Sequence, residues 1–424
     1  MFPSSLFRTN EESRRQFMQT MAKSCLGVSF LPGLAGLAEA QSRGAKPRQV
    51  IYLFMTGAMS HLDTFDPKPK NKEVQGETGV ISSRTPGMQL SEHLSGLAKI
   101  SNRFSVVRSL STTTGAHGPA RYLMRTSYKP IASTRHPGLG ALVQKFSGKI
   151  SKDLPPTVQI GGGEGPGYLG AQYAPVPIGD PARGLENTKT PSYLSEKAFD
   201  RRIDLSTAFD SGFRRRASKN SKVSGYDDLY SDAIRLLRSE DLKAFDITQE
   251  PDKQKQAYGE TRFGRGALLA RRLVENGVRF VEVSFGGWDH HRDIFNTVPE
   301  KAAELDKVAS TLISDLASKG LLNSTLVVIG SEFGRKPKIN QNTGRDHHPA
   351  AFSALLAGAS VKPGQVIGAS DADGFYVDDE HASVEDLNAT IAKAIGIPHN
   401  KEIHSPTGRP FTFSNGGTPI AKLV

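Results

Sequence analysis

The chain has 424 residues, of which 37% are apolar and 23% charged, a composition typical of a globular protein that buries a large core. Its formal net charge is +11, but the basic residues are scattered in short doublets without a recognition motif, which disfavours a nucleic-acid-binding protein and favours a solvated surface that attracts anions. Cys25 is the only cysteine, so a chain that loses its first forty residues has no disulfide, no thiolate ligand and no cysteine nucleophile.

Residues 1–40 are predicted to be a signal peptide that is not part of the fold. The sequence SRRQFM at residues 13–18 matches the twin-arginine export pattern, a moderately apolar stretch follows at 18–37, and AEA at 38–40 supplies a cleavage site. A frayed N-terminal helix is the alternative. We expect the protein to cross the membrane already folded, through the twin-arginine machinery, and to be periplasmic or secreted. No later apolar run is long enough to span a bilayer.

Residues 41–424 are predicted to form a single α/β domain with a central, mostly parallel sheet. Apolar runs and periodicities predict its elements, which are, in chain order, strands at 49–55 and 104–108, helices at 119–128 and 137–146, a strand at 157–160, an insertion of loops and helices at about 164–260, a helix at 262–275, a strand at 278–285, a helix at 300–319, strands at 325–330 and 352–356, and a helix at 386–396.

The segment between the second strand and the first helix is rich in hydroxyl groups. Its sequence, SLSTTTGAHG, is followed by Pro119, which can stand in the first turn of a helix that carries Arg121. A strand end, hydroxyl groups and a helix N-terminus together can form an oxyanion cradle. Simple N-capping of the helix by a serine or threonine is an equally good explanation of the same residues.

Two histidine pairs lie beside carboxylates, each just past a predicted strand. GGWDHH at residues 286–291 offers Asp289 and His291, and the strand at 325–330 is followed by Glu332 and by GRDHHP at 344–349. The second pair consists of His347 and His348. Because the carboxyl ends of parallel strands meet at one edge of a sheet, we expect one shared metal site in which one member of each pair is structural. Imidazole and carboxylate ligands without sulfur suit Zn²⁺ or Mn²⁺ better than Ca²⁺.

Five motifs together carry a family resemblance: FMTGAMSHLDTFDPKP, HGPARYLMRTSY, GGWDHH, SEFGR and GRDHHP. They are similar to those of the twin-arginine-exported bacterial family known as domain of unknown function 1501. That family is grouped with the alkaline phosphatase and sulfatase superfamily, so the resemblance implies a sulfatase-like sheet with helices on both faces and a metal site at the strand ends. The phosphatase position built from one aspartate and two histidines is matched by Asp289, His291 and either His347 or His348.

The chain departs from the superfamily pattern at the first strand and at a later metal motif. Thr56-Gly57 stands where sulfatases place two aspartates, so the nearest candidate ligand there is Asp63. The segment SEFG at 331–334 resembles the sulfatase Ser-Asp-His-Gly motif, with Glu332 in place of the aspartate. The resemblance therefore implies one well-formed metal position and one altered position.

The nucleophile position is also altered. His117 occupies the place of the cysteine in the sulfatase Cys-x-Pro-x-Arg motif, and Arg121 matches its arginine, so the formylglycine mechanism is excluded. A neighbour such as Ser111 or Thr112 would have to supply a phosphatase-type hydroxyl, and the spacing does not choose between them.

The expected function is metal-dependent hydrolysis of an anionic phosphate or sulfate ester in the cell envelope, by a metal-activated water or an unidentified nucleophile. His117 is then a further ligand or the group that moves the proton, with a phosphohistidine intermediate as another alternative. Arg121 stabilises charge on the ester oxygens, and Glu332 binds the metal or orients a ligand. The competing hypothesis is a non-catalytic relative that binds an envelope glycan or a protein partner.

Overall fold

A computed structural model describes residues 49–186, 188, 193–217 and 221–424. The predicted signal peptide lies outside the described residues. The strands in chain order are β1 (Gln49–Met55), β2 (Val80–Ser82), β3 (Gln89–Ser91), β4 (Phe104–Ser111), β5 (Thr157–Ile160), β6 (Val176–Ile178), β7 (Phe280–Phe285), β8 (Thr325–Ser331), β9 (Gly334–Arg335), β10 (His347–His348), β11 (Phe352–Gly358), β12 (Val366–Ile367), β13 (Ala369–Ser370), β14 (Val377–Asp379), β15 (Ala382–Ser383), β16 (Ile403–His404) and β17 (Pro410–Phe411).

Ten α-helices lie within the described residues: α1 (Lys72–Gln75), α2 (Ser95–Lys99), α3 (His117–Thr126), α4 (Leu139–Ser147), α5 (Glu196–Ala217), α6 (Ser221–Leu237), α7 (Asp252–Tyr258), α8 (Arg262–Glu275), α9 (Ile294–Ser318) and α10 (Val384–Ala394). Helices α5 to α7 occupy the stretch in which the sequence predicts an insertion. Within the described residues, no helix is long and apolar enough to cross a membrane.

Nine of the described strands form the central sheet, in the order β12-β4-β11-β8-β1-β7-β5-β6, with β15 also paired to β4. Among the described strands of this sheet, β11 alone is antiparallel to its neighbours, which are β4 and β8. The remaining neighbours pair in parallel. The carboxyl ends of β4, β8, β1, β7 and β5 therefore lie along one edge, and β11 begins at that edge.

Helices cover both faces of the sheet because β1 is apolar on both sides. All seven of its residues are buried, and successive side chains of a strand point to opposite faces. Ile51, Leu53 and Met55 belong to the core that also contains the apolar faces of α8 and α9. Val50, Tyr52 and Phe54 belong to the core shared with α3, α4 and α10. The predicted fold class, a mostly parallel sheet between two layers of helices, is confirmed.

Helix α9 begins six residues before the predicted residue 300 and contains Pro299. A proline inside a helix cannot donate the usual backbone hydrogen bond, which is why a helix is expected to begin after it. Here Ile294 and Val298 are buried against the core. We attribute the earlier start to the burial of these two side chains, which outweighs the single lost hydrogen bond.

Candidate metal centre

The centre is built where the end of β1 meets the loop after β7. Thr56 N donates a hydrogen bond of 2.9 Å to Phe285 O, and Trp288 N donates one of 3.3 Å to Thr56 O. Trp288, the single tryptophan of the chain, is 1% exposed and packs edge-on against Phe285. Gly57 has a φ of +111°, and a Cβ there would lie 2.7 Å from Asp289 N. A glycine at this position therefore lets Asp289 come close to β1.

Asp289 is at the middle of a cluster of three histidines. Its Oδ1 lies 3.1 Å from His291 Nε2 and 3.2 Å from His347 Nε2. Its Oδ2 lies 3.3 Å from His117 Nε2. His117 is the first residue of α3, and His347 belongs to β10. Three separate segments of the chain thus direct the same ring nitrogen toward one carboxylate.

The opposite nitrogen, Nδ1, of each of these three rings is held by an acceptor. The pairs are His117 with Glu332 Oε2, His291 with Asp346 Oδ1 at 3.0 Å, and His347 with Gly115 O at 2.7 Å. A carbonyl or an ionised carboxylate only accepts hydrogen bonds, so Nδ1 carries the hydrogen in each ring. A neutral imidazole in this tautomer presents a lone pair at Nε2, and anchoring of this kind is usual for histidines that bind metals.

The arrangement leaves lone pairs facing one another. His291 Nε2 and His347 Nε2 are 3.0 Å apart, and without a proton on either atom they repel each other. His117 Nε2 is buried and has no hydrogen-bond partner among the described residues. A cation placed between these atoms and Asp289 would satisfy all of them. His117, Asp289 and His347 offer ligand atoms that lie within 4.8 Å of one another, so these residues fit a metal ion.

Local charges favour the metal-binding protonation states. Burial alone would raise the pKa of Asp289, but the hydrogen bond and the positive charge of Arg335 outweigh it and hold that pKa at about 2. The guanidinium is 2.5 Å from Asp289 Oδ1. Burial lowers the pKa of His347 below its ordinary value. At neutral pH the carboxylate is therefore ionised and the His347 ring is neutral, as ligands must be.

Glu332 is fully buried beneath the cluster. One oxygen binds His117 Nδ1, and the other accepts a 2.9 Å hydrogen bond from Gly57 N. Arg121 Nη1 lies 3.9 Å from this second oxygen, and its side chain is 39% exposed. Glu332 therefore orients His117, and Arg121 extends from the centre toward solvent.

Two residues predicted as ligands have other partners. Asp63 is fully buried and pairs with Arg345, whose Nε lies 2.8 Å from Asp63 Oδ2. His348 Nε2 lies 2.5 Å from Phe375 O, because adjacent residues of β10 point to opposite sides. The structure thus brings Asp289, His291, His347 and His117 together, with Glu332 next to them, and leaves Asp63 and His348 outside the cluster.

Three groups of the centre received no role from the sequence. Arg335 is buried, contacts Asp289 and also donates from Nε to Ala58 O at 2.8 Å. Asp346 and the Gly115 carbonyl hold His291 and His347. Two of these groups lie close in sequence to predicted site residues, which is a partial signal for a role in the site: Arg335 follows Glu332 by three residues, and Asp346 directly precedes His347. The carbonyl of Gly115 has no sequence signal at all.

Substitution of Gly57 by alanine should displace the loop that carries Asp289. The new Cβ would lie 2.7 Å from Asp289 N and 3.0 Å from the Trp288 backbone, in a φ region that side chains rarely adopt. We expect divalent-metal affinity to fall about tenfold or more, measured by titration of the metal-free protein. Gly179→Ala is the matched control, because a Cβ there meets nothing within 4 Å. Equal affinities in Gly57→Ala and the control would contradict the proposed packing.

Comparisons with solved structures find distant similarities. A lipoteichoic acid synthase from Listeria monocytogenes is 11% identical with a TM-score of 0.40, over 89% of this chain and 76% of that one. A sulfatase from Pseudoalteromonas sp. is 12% identical with a TM-score of 0.38, over 86% and 71%. A phosphonate monoester hydrolase from Silicibacter pomeroyi is 12% identical with a TM-score of 0.39, over 88% and 78%.

A search of curated proteins returns no match. The family model described as "Protein of unknown function (DUF1501)" matches residues 47–424, a range that contains every described residue. The family resemblance carried by the five sequence motifs is confirmed: the chain belongs to the DUF1501 family.

Proposed function

We propose that this protein is a metal-dependent hydrolase of phosphate or sulfate esters that acts in the cell envelope after twin-arginine export. The observation that carries the proposal is the convergence of three Nε2 atoms, each with its Nδ1 anchored, on the Asp289 carboxylate. This cluster lies at the carboxyl edge of the sheet, where α/β proteins bind ligands. The sulfatase-like resemblance of the motifs supports the choice of ester.

The proposed ion is Zn²⁺ or Mn²⁺, because its ligands are nitrogen and oxygen atoms. Asp289, His117 and His347 would hold it, and His291 would be an additional ligand beside Asp289. When bound, such an ion supplies Lewis acidity and lowers the pKa of a coordinated water toward neutrality.

The protein side chains would bind and orient the ester. Arg121 is at the rim, partly exposed and near Glu332, so its guanidinium can donate parallel hydrogen bonds to two ester oxygens. His117 is better placed as a ligand than as a proton carrier, because its Nδ1 is committed to Glu332 and its Nε2 is buried facing Asp289. Arg335 keeps Asp289 ionised.

Release of 4-nitrophenol from 4-nitrophenyl phosphate and 4-nitrophenyl sulfate tests the proposal. We expect turnover by the purified protein, its loss after treatment with EDTA, and its recovery on addition of Zn²⁺ or Mn²⁺. Turnover that survives complete removal of metal would contradict metal dependence. If the metal-loaded protein cleaves neither of these esters, nor any longer phosphorylated or sulfated glycan, that result would contradict the proposed hydrolase activity.

One observation favours a second candidate, a non-catalytic protein that binds an envelope glycan or a protein partner. Of the two hydroxyl groups suggested as nucleophiles, Ser111 Oγ bonds to His381 Nε2 at 2.7 Å, and Thr112 Oγ1 is buried with no hydrogen-bond partner among the described residues. Among the described contacts of the histidine cluster there is no serine or threonine hydroxyl. Binding of a glycan without turnover, with or without metal, would favour this candidate.

A further inference from the structure

A groove adjoins the metal centre along the same edge of the sheet. It has a volume of about 480 Å³ and lies at the carboxyl ends of β1, β7 and β5, between the start of α8 and the side of α9. This volume is within the range of small-ligand pockets. Thr56 lines the groove and directly precedes Gly57, whose N–H binds Glu332. Gly286 also lines it and precedes Asp289 by three residues. The groove and the metal centre therefore share the ends of β1 and β7.

The groove has an aromatic side and a side made of bare backbone and hydroxyl groups. Phe263 and Phe285 stack in parallel with ring centroids 4.2 Å apart, and both are nearly buried. Gly286 stands beside them, and a Cβ on it would meet nothing within 4 Å. Thr56 and Ser284 add hydroxyl groups to the lining. Phe263 covers one face of the Phe285 ring and the Lys301 ammonium lies over the other, so the groove offers a ligand polar backbone and hydroxyl groups.

Lys301 supplies a cation at a defined place in this groove. Its Nζ lies 4.6 Å from the centroid of the Phe285 ring, a cation–π contact. Its stem lies against Gly287, where an added Cβ would be 2.9 Å from Lys301 Cε. Lys301 Nζ makes no ion pair among the described residues, although Glu304 also lines the groove. The ammonium group is thus held in place without a neutralising partner.

Arg262 supplies a second cation. Its Nη2 donates a 2.6 Å hydrogen bond to Gly179 O, which fixes the guanidinium at the groove. Its remaining N–H groups make no ion pair within the described part of the chain. Two cations against the single carboxylate of Glu304 give the groove a positive balance, which favours an anionic ligand.

We propose that this groove binds a second anionic group of the substrate, so that the substrate carries more than one sulfate or phosphate. The inference rests on the proposed function, since it places the ester to be cleaved at the metal centre. The second sulfate or phosphate lies on Lys301 and Arg262. The part of the substrate that joins the two anionic groups lies between them, against the Gly286 backbone and the Thr56 hydroxyl group.

Calorimetric binding of sucrose octasulfate tests the groove, with unsulfated sucrose as the uncharged comparison. We expect Lys301→Met to raise the Kd of sucrose octasulfate about tenfold, because a charge-assisted contact is lost. Lys301→Arg should restore most of the affinity. Lys307→Met is the matched control: Lys307 is an exposed lysine of the same helix, and its loss removes the same charge outside the groove. We expect its Kd to stay within about twofold of the wild type.

An unchanged Kd in Lys301→Met would overturn the proposal, and so would an equal weakening in Lys307→Met, which would mean that binding follows overall charge. The two proposals can fail separately. If binding of sucrose octasulfate depends on Lys301 but the protein cleaves no ester, the groove proposal is supported and the hydrolase proposal is contradicted. If the protein turns over 4-nitrophenyl esters but its binding of sucrose octasulfate is independent of Lys301, the hydrolase proposal is supported and the groove proposal is contradicted.

Discussion

A double variant with His291→Ala and His347→Ala should contain no divalent metal, whereas the wild-type protein should bind Zn²⁺ or Mn²⁺ stoichiometrically. The two Nε2 atoms lie 3.1 and 3.2 Å from the same oxygen of Asp289, so the variant removes two imidazoles from one side of the site. Loss of a residue that only orients a ligand costs about 10- to 100-fold in metal affinity, and loss of two ligands should cost more. Elemental analysis of the folded proteins after reconstitution measures this directly, and ester hydrolysis should disappear together with the metal.

The matched control replaces two histidines outside the cluster, His381→Ala and His404→Ala, both of which are exposed. It should keep the metal content and the turnover of the wild type. If the double variant still binds metal at full stoichiometry, the ion binds at a site other than the histidine cluster. A wild-type protein that binds no metal even after reconstitution would mean that the histidines are structural, and the binding protein would then be the better hypothesis.

Asp63→Ala should lower the free energy of unfolding by about 3–5 kcal/mol, because it leaves the Arg345 guanidinium buried without its carboxylate. Both side chains of this pair are fully buried. Asp63 also accepts hydrogen bonds from Ser60 Oγ at 2.5 Å and from Thr78 Oγ1 at 2.8 Å. Urea unfolding measures the change. Asp378→Ala removes an exposed aspartate and should alter stability by less than about 0.5 kcal/mol.

The same variant separates a structural role of Asp63 from a role as a ligand. Its side chain lies outside the histidine cluster, so the folded Asp63→Ala protein should still bind metal stoichiometrically. A variant of normal stability that has lost its metal would restore Asp63 as a ligand.

The stability contribution of Asp63 should depend on pH in a defined direction. Burial alone would raise the pKa of Asp63, but Arg345 and the hydrogen bonds lower it below the ordinary value of 3.8. Its contribution is therefore present above pH 3.8 and is lost as the pH falls through the lower pKa of the folded state. Below that range, wild type and Asp63→Ala should converge in stability.

The elements that the sequence predicted best are those whose signal is local. Strands β1 and β5 and helix α8 begin and end at the predicted residues, because apolar β-branched runs and a capped amphipathic pattern are complete within each segment. The direction of β11 is not local. β11 runs antiparallel to β8, and that direction depends on how the chain connects the strands of the whole sheet.

The sequence indicated some residues of the histidine cluster and missed others, for the same reason. Position after a strand indicated Asp289, His291, Glu332 and His347, because strand ends converge in any parallel sheet. The choice between His347 and His348 depends on the pairing of β10 with β9, in which His347 lies opposite Arg335. That pairing joins two short strands with no apolar pattern of their own. Asp63 resembled a ligand because its partner, Arg345, is 282 residues away in sequence.

The position of Trp288 gives this protein a built-in optical probe. It is the one indole of the chain, it is shielded from solvent, and it is bonded directly to Asp289. Selectively excited indole emission therefore originates from the loop that would hold the ion and from no other part of the molecule. Occupancy of the centre, displacement of the loop in Gly57→Ala, and global unfolding can each be followed as a spectral change in the unlabelled protein.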